Sequence, residues 1–233
     1  MSVAATAEVT RLARVLRCEP AEIEFLCRFA PTELRSLRLA VCDRMYADHR
    51  ATYSRIGAAS RLLPMKVTAP LAQRMMAPRV SAGVVSSLPP EQAAAMAARM
   101  STEYIADVAT HLSPAAVSPV LSRMPAEVVL RVAEELHTRG DYDTMAEIVS
   151  SLTDDQVAAV LASVADPPMM VEVALRITDP EAVQRLTEVL TESHLHEMVR
   201  WARRRTRLWP ELLALLGRLP QPQRRRVLGL SRG

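Results

Sequence analysis

Aromatic residues are scarce in this chain: 2 Phe, 2 Trp and 4 Tyr make up 3% of its 233 residues, although 49% of them are hydrophobic. The core must therefore consist mainly of Ala, Val, Leu and Met, which favours closely packed short helices over a β-sandwich or barrel. Glycine is also rare, with 6 residues against 16 prolines. The sequence contains neither the Gly-rich dinucleotide motif nor the P-loop motif, which argues against the nucleotide-binding folds that depend on them. These absences predict an all-α fold.

The three cysteines, Cys18, Cys27 and Cys42, include no C-x-x-C pair. An odd and sparse set of this kind argues against a disulfide framework and against a cysteine zinc site. We expect them to be small buried side chains in a reducing cytoplasm. Charges at helical spacing in residues 1–17 argue against a signal peptide. No apolar run reaches the ~20 residues of a membrane span, so we expect a cytoplasmic protein without one.

A twelve-residue repeat occupies the middle of the chain. Positions 5, 8, 9 and 12 of each block are apolar, except at Ser81 and Thr187. This spacing marks one face of an α-helix and does not fit the alternation of a strand. Insertions interrupt the repeat at residues 137–140, at Ala165 and at Thr178. The ten blocks begin at residues 77, 89, 101, 113, 125, 141, 153, 166, 179 and 191.

The first residues of the blocks are typical of helix N-termini. Five blocks have Pro as their second residue, where the missing N–H costs nothing. Because isolated helices of about ten residues are marginal in water, we expect them to stack into a right-handed superhelical array, or solenoid. Seven blocks begin with a residue whose side-chain oxygen can accept from a free amide of the first turn: Ser101, Ser113, Asp141, Thr153, Asp166, Asp179 and Thr191.

The chain divides into three regions of different charge. Residues 1–64 form a predicted helical cap with ten Arg and seven acids, residues 65–202 hold the array with ten bases and eighteen acids, and residues 203–233 form Arg-rich helices with nine Arg and one acid. We expect the basic tail to fold back on the acidic array or to end it as a solvated face; docking on an acidic partner is the alternative. Nucleic acid is a less favoured partner because base-stacking aromatics are scarce.

The repeat resembles a known helical family. The runs LPPEQAAAMAARMSTEYIADVATHLSP and LTDDQVAAVLASV are similar to the N-terminal superhelical domain of MgtE-type magnesium transporters and to the related repeats of the motor-switch protein FliG. The resemblance covers roughly residues 77–202 and rests on repeat length and texture. It implies a helical array that senses, docks or regulates. It does not imply transport, because the CBS and membrane domains of those transporters do not fit in the remaining residues.

Two groups of side chains are candidate sites. The first could line a ligand pocket where the long N-terminal helix meets the array, and the second could contact a partner. Packing anchors and solvated surface are the alternative explanation for both groups. The pocket candidates are Tyr46, His49, Arg50, Tyr53, Tyr104, Asp107 and His111. The partner candidates are His137, Arg139, Asp141 and Tyr142 of the insertion region, and Arg203, Arg204, Arg205 and Arg207 of the basic tail.

These features predict a non-enzymatic helical-repeat protein that acts as a protein–protein interaction or regulatory module. The first alternative is a sensor or binder of a divalent cation such as Mg²⁺, or of an apolar small molecule held between the N-terminal helix and the repeats. The second is a small helical enzyme that uses Asp107 and His111, or His49 and Tyr53. Because no catalytic constellation or metal-ligand set is evident, we predict no catalytic residue, metal ligand or cofactor beyond weak Mg²⁺ binding.

Overall fold

The structure is a computed structural model that describes residues 2–60, 64–112, 114–164, 166–217, 219–221 and 224–225. These residues form fourteen α-helices and one 3-10 helix and contain no strand. The prediction of an all-α fold is therefore confirmed for the described part of the chain. Residues 226–233, the end of the predicted Arg-rich region, lie outside it.

The N-terminal region contains three helices. They are α1 (Val3–Leu16), the 3-10 helix Pro20–Arg28, and α2 (Pro31–Ser60). Helix α2 has 30 residues, so it spans about 45 Å at the rise of an α-helix. The 3-10 helix and α2 both begin at a proline. Proline lacks an N–H, and the amide of the first helical residue would have no acceptor within the helix.

The remaining helices are mostly short. Those of the ten predicted blocks, α4 to α13, each begin at the second residue of the block, so the predicted helix starts are confirmed. The bounds are α3 (Met65–Met75), α4 (Pro78–Val85), α5 (Pro90–Ala97), α6 (Thr102–Ala109), α7 (Pro114–Leu121), α8 (Ala126–Thr138), α9 (Tyr142–Val149), α10 (Asp154–Ser163), α11 (Pro167–Arg176), α12 (Pro180–Val189), α13 (Glu192–Arg203) and α14 (Leu208–Gly217).

The predicted N-caps explain why the helices start where they do. In six of the seven blocks that begin with Ser, Thr or Asp, the side-chain oxygen accepts a hydrogen bond from an amide of the first turn. Thr153 and Gln156 also form a capping box, in which each side chain accepts from the other residue's amide. The seventh predicted cap, Ser113, lies outside the described residues.

The short helices pack in two series. Within each series, a helix contacts the second helix after it in the chain. One series therefore runs from α3 through α5, α7, α9 and α11 to α13. Helices α4, α6, α8, α10 and α12 form the second series in the same way. The apolar stripe of each helix covers its neighbours, with side chains such as Val84, Val132 and Val173 buried at position 8.

The N-terminal region lies along the side of this array. Helix α1 contacts α9 and α11, whereas α2 contacts α4. At the other end of the chain, α14 packs on α13 and α11, and the amide of Val3 donates to Glu211 Oε2 over 2.7 Å. Helices α1 and α14 therefore meet near α11.

A buried cluster of charges joins α1 and α2 to the array. The Glu8 carboxylate is 0% exposed and lies 2.6 Å from Arg11 Nη1 and 2.9 Å from Arg38 Nε. Arg38 Nη1 in turn lies 2.7 Å from Glu147 Oε1 on α9. Thr178 Oγ1 donates a further hydrogen bond to Glu8 over 3.1 Å. A buried charge is tolerated only when it is paired and its remaining polar atoms are hydrogen-bonded, and these contacts meet both conditions for Glu8.

Arg11 extends the cluster to the backbone of two repeat helices. Its guanidinium donates to the carbonyl oxygen of Asp143 over 2.7 Å and to that of Arg176 over 3.3 Å. Outside the buried part, Arg14 pairs with Asp141 at 3.0 Å and Arg35 pairs with Asp179 at 3.3 Å. Bases of the N-terminal region thus face acids of the array, which gives part of the charge asymmetry a structural role.

Replacing Glu8 with Gln should destabilise the protein strongly. The substitution keeps the shape of the side chain but leaves Arg11 and Arg38 buried with one counter-charge fewer, which typically costs about 3 kcal/mol or more. The free energy of unfolding from urea titrations followed by circular dichroism measures this loss. Glu24→Gln, at an exposed position of the 3-10 helix, is the matched control and should be neutral. Equal stabilities of the two variants would contradict a structural role for the cluster.

The same carboxylate makes stability depend on pH. Burial opposes its ionisation, but the charges of Arg11 and Arg38 outweigh this effect and hold the pKa of Glu8 below its ordinary value of 4.5. Its stabilising contribution is therefore complete above that value and is lost as the pH falls through the lower pKa of the folded state. Urea titrations between neutral and strongly acidic pH should show this loss in the wild type. In Glu8→Gln the acid dependence should be weaker; an unchanged dependence would exclude Glu8 as its source.

Candidate functional site

Four of the pocket candidates contact one another on the long helix α2. The rings of Tyr46 and Tyr53 stack with centroids 5.8 Å apart, and His49 lies edge-on to Tyr53 at 5.9 Å. The Arg50 guanidinium lies 6.0 Å from the centroid of Tyr46. Tyr53 also reaches α4, where its ring covers the Cα of Gly83 and its carbonyl oxygen accepts from Ser87 Oγ over 3.1 Å. These side chains anchor α2 on the first repeat.

The other pocket candidates have different surroundings. The buried Tyr104 hydroxyl donates to the Met76 carbonyl oxygen over 2.9 Å and lies 2.6 Å from Ser81 Oγ. Asp107 pairs with Arg139 at 2.5 Å, and His111 lies in the turn that follows α6. The structure therefore distributes these candidates among separate packing contacts.

The predicted partner residues of the insertion region make internal contacts. Asp141 caps α9 and pairs with Arg14, and Arg139 pairs with both Asp107 and Glu135. The Tyr142 ring lies 6.1 Å from that of His137 and 5.8 Å from the Arg176 guanidinium. Gly140 adopts a positive φ of 68° just before α9, a backbone conformation that glycine tolerates best.

Four arginines of the predicted basic tail, Arg203, Arg204, Arg205 and Arg207, are exposed. Two of them lie over indole rings: Arg205 is 3.6 Å from the centroid of Trp201, and Arg203 is 5.4 Å from that of Trp209. Cation–π contacts of this kind cover the two tryptophans at the end of the chain.

An apolar cavity of about 300 Å³ lies between the end of α2 and the first repeat helices. It falls at the lower end of the range that ligand pockets occupy. The end of α2, together with helices α3 to α6 and the turns between them, forms its wall. The lining residues are Ile56, Ala59, Ser60, Thr68, Leu71, Ala72, Met75, Met76, Ser81, Val84, Val85, Leu88, Ala93, Met96, Ala97, Met100, Ile105 and Val108.

A second apolar cavity of about 130 Å³ lies deeper between the two series of helices. The two cavities have five lining residues in common, so they adjoin one another across a shared wall. These residues are Val85, Ala93, Ala97, Ile105 and Val108. The rest of the deeper lining comes from helices α6 to α12 and is also apolar.

Helix α3 forms the outer side of the larger cavity. The Gln73 side chain donates to Ser101 Oγ over 3.0 Å and accepts from the Ser101 amide over 2.9 Å. These two hydrogen bonds join α3 to the start of α6. Three apolar side chains of α3 are nevertheless exposed: Val67 at 52%, Leu71 at 44% and Met75 at 76%. Since Leu71 and Met75 also line the cavity, its apolar surface continues to the outside of the molecule.

None of the seven pocket candidates lines either cavity. The sequence predicts a pocket between α2 and the repeats that aromatic and polar side chains would line. The cavity instead lies past them, at the C-terminal end of α2. The signal that could have found it is the run of alanines in α5, because small side chains on a core-facing helix leave space between elements.

Comparisons with known proteins give no family for this chain: no family model, no curated protein and no solved structure matches it. Within the described ranges, no group of three or more His, Cys, Asp or Glu side chains is placed to hold a metal ion. No helix among those described is long and apolar enough to cross a membrane.

Replacing Gly83 with Ala should weaken the contact between α2 and α4. An added Cβ would lie 2.4 Å from Tyr53 Cζ, so the ring or the helix must move. The variant should lose about 1–3 kcal/mol, although the same change in an open helix is usually stabilising by up to ~1 kcal/mol. Chemical denaturation measures the difference.

Two variants control for the intrinsic effect of the residue change. Gly217→Ala adds a Cβ that meets no atom within 4 Å, and it should be neutral or slightly stabilising. Adding Gly83→Ala to a Tyr53→Ala background should cost little, because the clashing ring is gone. A large loss in that background would show that the Tyr53 contact is not the cause.

Proposed function

We propose that this protein is a non-enzymatic helical-repeat protein that binds an apolar small molecule in the cavity between α2 and the first repeats. The observation that carries the proposal is the apolar lining of that cavity together with its opening beside α3. Displacement of water from an apolar cavity by an apolar ligand lowers the free energy of the system. The sequence predicted either a protein-interaction module or a binder of a cation or an apolar small molecule. The apolar lining favours the binder of an apolar small molecule.

The chemistry of the lining supports binding over catalysis. The polar side chains in it are the hydroxyls of Ser60, Thr68 and Ser81. The Ser81 hydroxyl is hydrogen-bonded to Tyr104, and that of Thr68 donates to the Pro64 carbonyl oxygen. The described lining offers no titratable side chain that could act as a general acid or base.

We also propose that the two series of helices form a right-handed superhelical array of the kind found in the MgtE-type and FliG-type repeats. Support comes from the regular helix starts and from the contacts between each helix and the one two positions along. In such an array an interior space between the two series is a natural result of small side chains at facing positions.

A protein partner is the second candidate function. It is favoured by four large apolar side chains that the N-terminal region leaves exposed: Leu16 at 46%, Phe25 at 60%, Phe29 at 43% and Leu37 at 45%. Exposed apolar side chains of this size are typical of interaction surfaces when they adjoin one another. The insertion region and the basic tail remain predicted contact surfaces for such a partner.

Replacing Ala59 with Trp should abolish the binding of an apolar probe. Ala59 is exposed at the end of α2 and lines the cavity, so an indole there would fill the opening without disturbing the core. Nile red, a neutral apolar dye, should bind the wild type with a rise in fluorescence that this variant loses. Ala58→Trp adds the same side chain at an exposed neighbouring position that lines neither cavity, and it should bind as the wild type does. Failure of the wild type to bind the dye, or equal binding by both variants, would contradict the proposal.

A further inference from the structure

We propose that the ligand of the larger cavity is an anionic amphiphile with a single linear chain, such as a long-chain carboxylate. Its chain would occupy the cavity, and its head group would stay outside among the cations near α3. This inference rests on the proposed function and adds the charge and shape of the ligand.

The stretch of sequence that contributes one side of the opening carries only basic charges. No acidic residue occurs between Asp48 and Glu91, a segment that includes the end of α2 and all of α3 and α4. The array as a whole carries an excess of acids, so this segment is distinct from the rest of it. Its six basic residues are Arg50, Arg55, Arg61, Lys66, Arg74 and Arg79. A segment of this charge attracts an anionic head group, whereas it has no electrostatic attraction for a neutral one.

Helix α3 brings cations beside the exposed apolar surface. Lys66 and Arg74 are eight residues apart and fall on one stripe of the helix, and Val67, Leu71 and Met75 form the adjacent stripe. Arg99, in the turn that follows α5, lies near the start of α3, with Nη1 3.4 Å from Met65 Sδ. The lining residues Met75 and Met100 each follow one of these cations directly in the chain.

These cations have no acidic partner among the described residues. Lys66, Arg74 and Arg99 are all exposed, and none forms an ion pair there. At comparable surface positions elsewhere in the array, Arg123 pairs with Glu91 at 2.5 Å and Arg139 pairs with Asp107 at 2.5 Å. A neighbouring repeat thus neutralises Arg123 and Arg139, whereas no described acid pairs with Lys66, Arg74 or Arg99. A bound anion would supply the missing counter-charge.

The shape of the interior argues for a linear chain. The larger cavity of about 300 Å³ adjoins the deeper one of about 130 Å³, and the shared wall includes the small side chains of Ala93 and Ala97. Space of this form suits a flexible chain that extends from the first cavity toward the second. A rigid ring system would have to fit within the first cavity alone.

The first test compares chains that differ only in their head group. Palmitate, hexadecanol and hexadecylamine should displace Nile red from the full-length protein, with palmitate binding about tenfold more tightly than the alcohol and the amine binding most weakly. About tenfold corresponds to one favourable charge interaction of moderate strength. The double variant Lys66→Glu with Arg74→Glu should lose the preference for palmitate and still bind hexadecanol. Arg131→Glu, an exposed cation of α8 that lines neither cavity, is the matched control and should keep the preference.

The outcomes separate this inference from the proposed function. If hexadecanol binds as tightly as palmitate, or if the double variant keeps the preference, the anionic head group is wrong although the cavity binds apolar ligands. If cholesteryl hemisuccinate, an anionic and rigid amphiphile, binds as tightly as palmitate, the linear chain is wrong. If none of these compounds nor the dye binds, the proposed function fails. Binding to vesicles of phosphatidylglycerol without binding of monomeric palmitate would assign the surface of α3 to a bilayer and overturn the proposal.

Discussion

The arrangement of this molecule depends on one buried carboxylate. Glu8 is shared between Arg11 of its own helix and Arg38 of α2, and Arg38 reaches Glu147 in the middle of the array. Helices α1, α2 and α9, which are distant in sequence, are thereby joined by one set of buried ion pairs. Ion pairs at this depth contribute little net stability compared with an apolar core, but breaking one is costly. The cluster therefore specifies where the N-terminal helices dock, while the apolar stripes of the repeats supply most of the free energy that holds the array together.

The helices were predictable from the sequence because their causes are local. Capping side chains such as Ser101 and Asp141, and prolines at the first helical position, fix where each helix starts, and the apolar spacing fixes which face turns inward. The docking of α1 was not predictable in this way. Glu8 and Arg11 have helical spacing that suits an exposed face as well as a buried one. Only the presence of Arg38 and Glu147, 30 and 139 positions further along than Glu8, distinguishes the two cases.

The residues that line the larger cavity were not predictable from the sequence. Polar and aromatic side chains attract attention as binding groups, yet Tyr53 and Tyr104 serve the contacts between helices. The space that can hold a ligand comes from residues with little side chain, such as Ala59, Ala93 and Ala97. An alanine on an inward face predicts that its helix packs against another helix. The distance between the two helices, however, depends on all the other contacts that hold them. Cavity volume is therefore a property of the whole packing arrangement and leaves only a weak trace in the sequence.

The length of α2 connects two distant parts of the structure. Arg38, in the ion cluster, and Ile56, in the cavity wall, are eighteen residues apart on one continuous helix, a distance of about 27 Å. Because one continuous helix joins these two points, the seating of α2 at the ion cluster also sets where its far end stands against the first repeats. The position of one wall of the larger cavity thus depends on contacts made about five helical turns away.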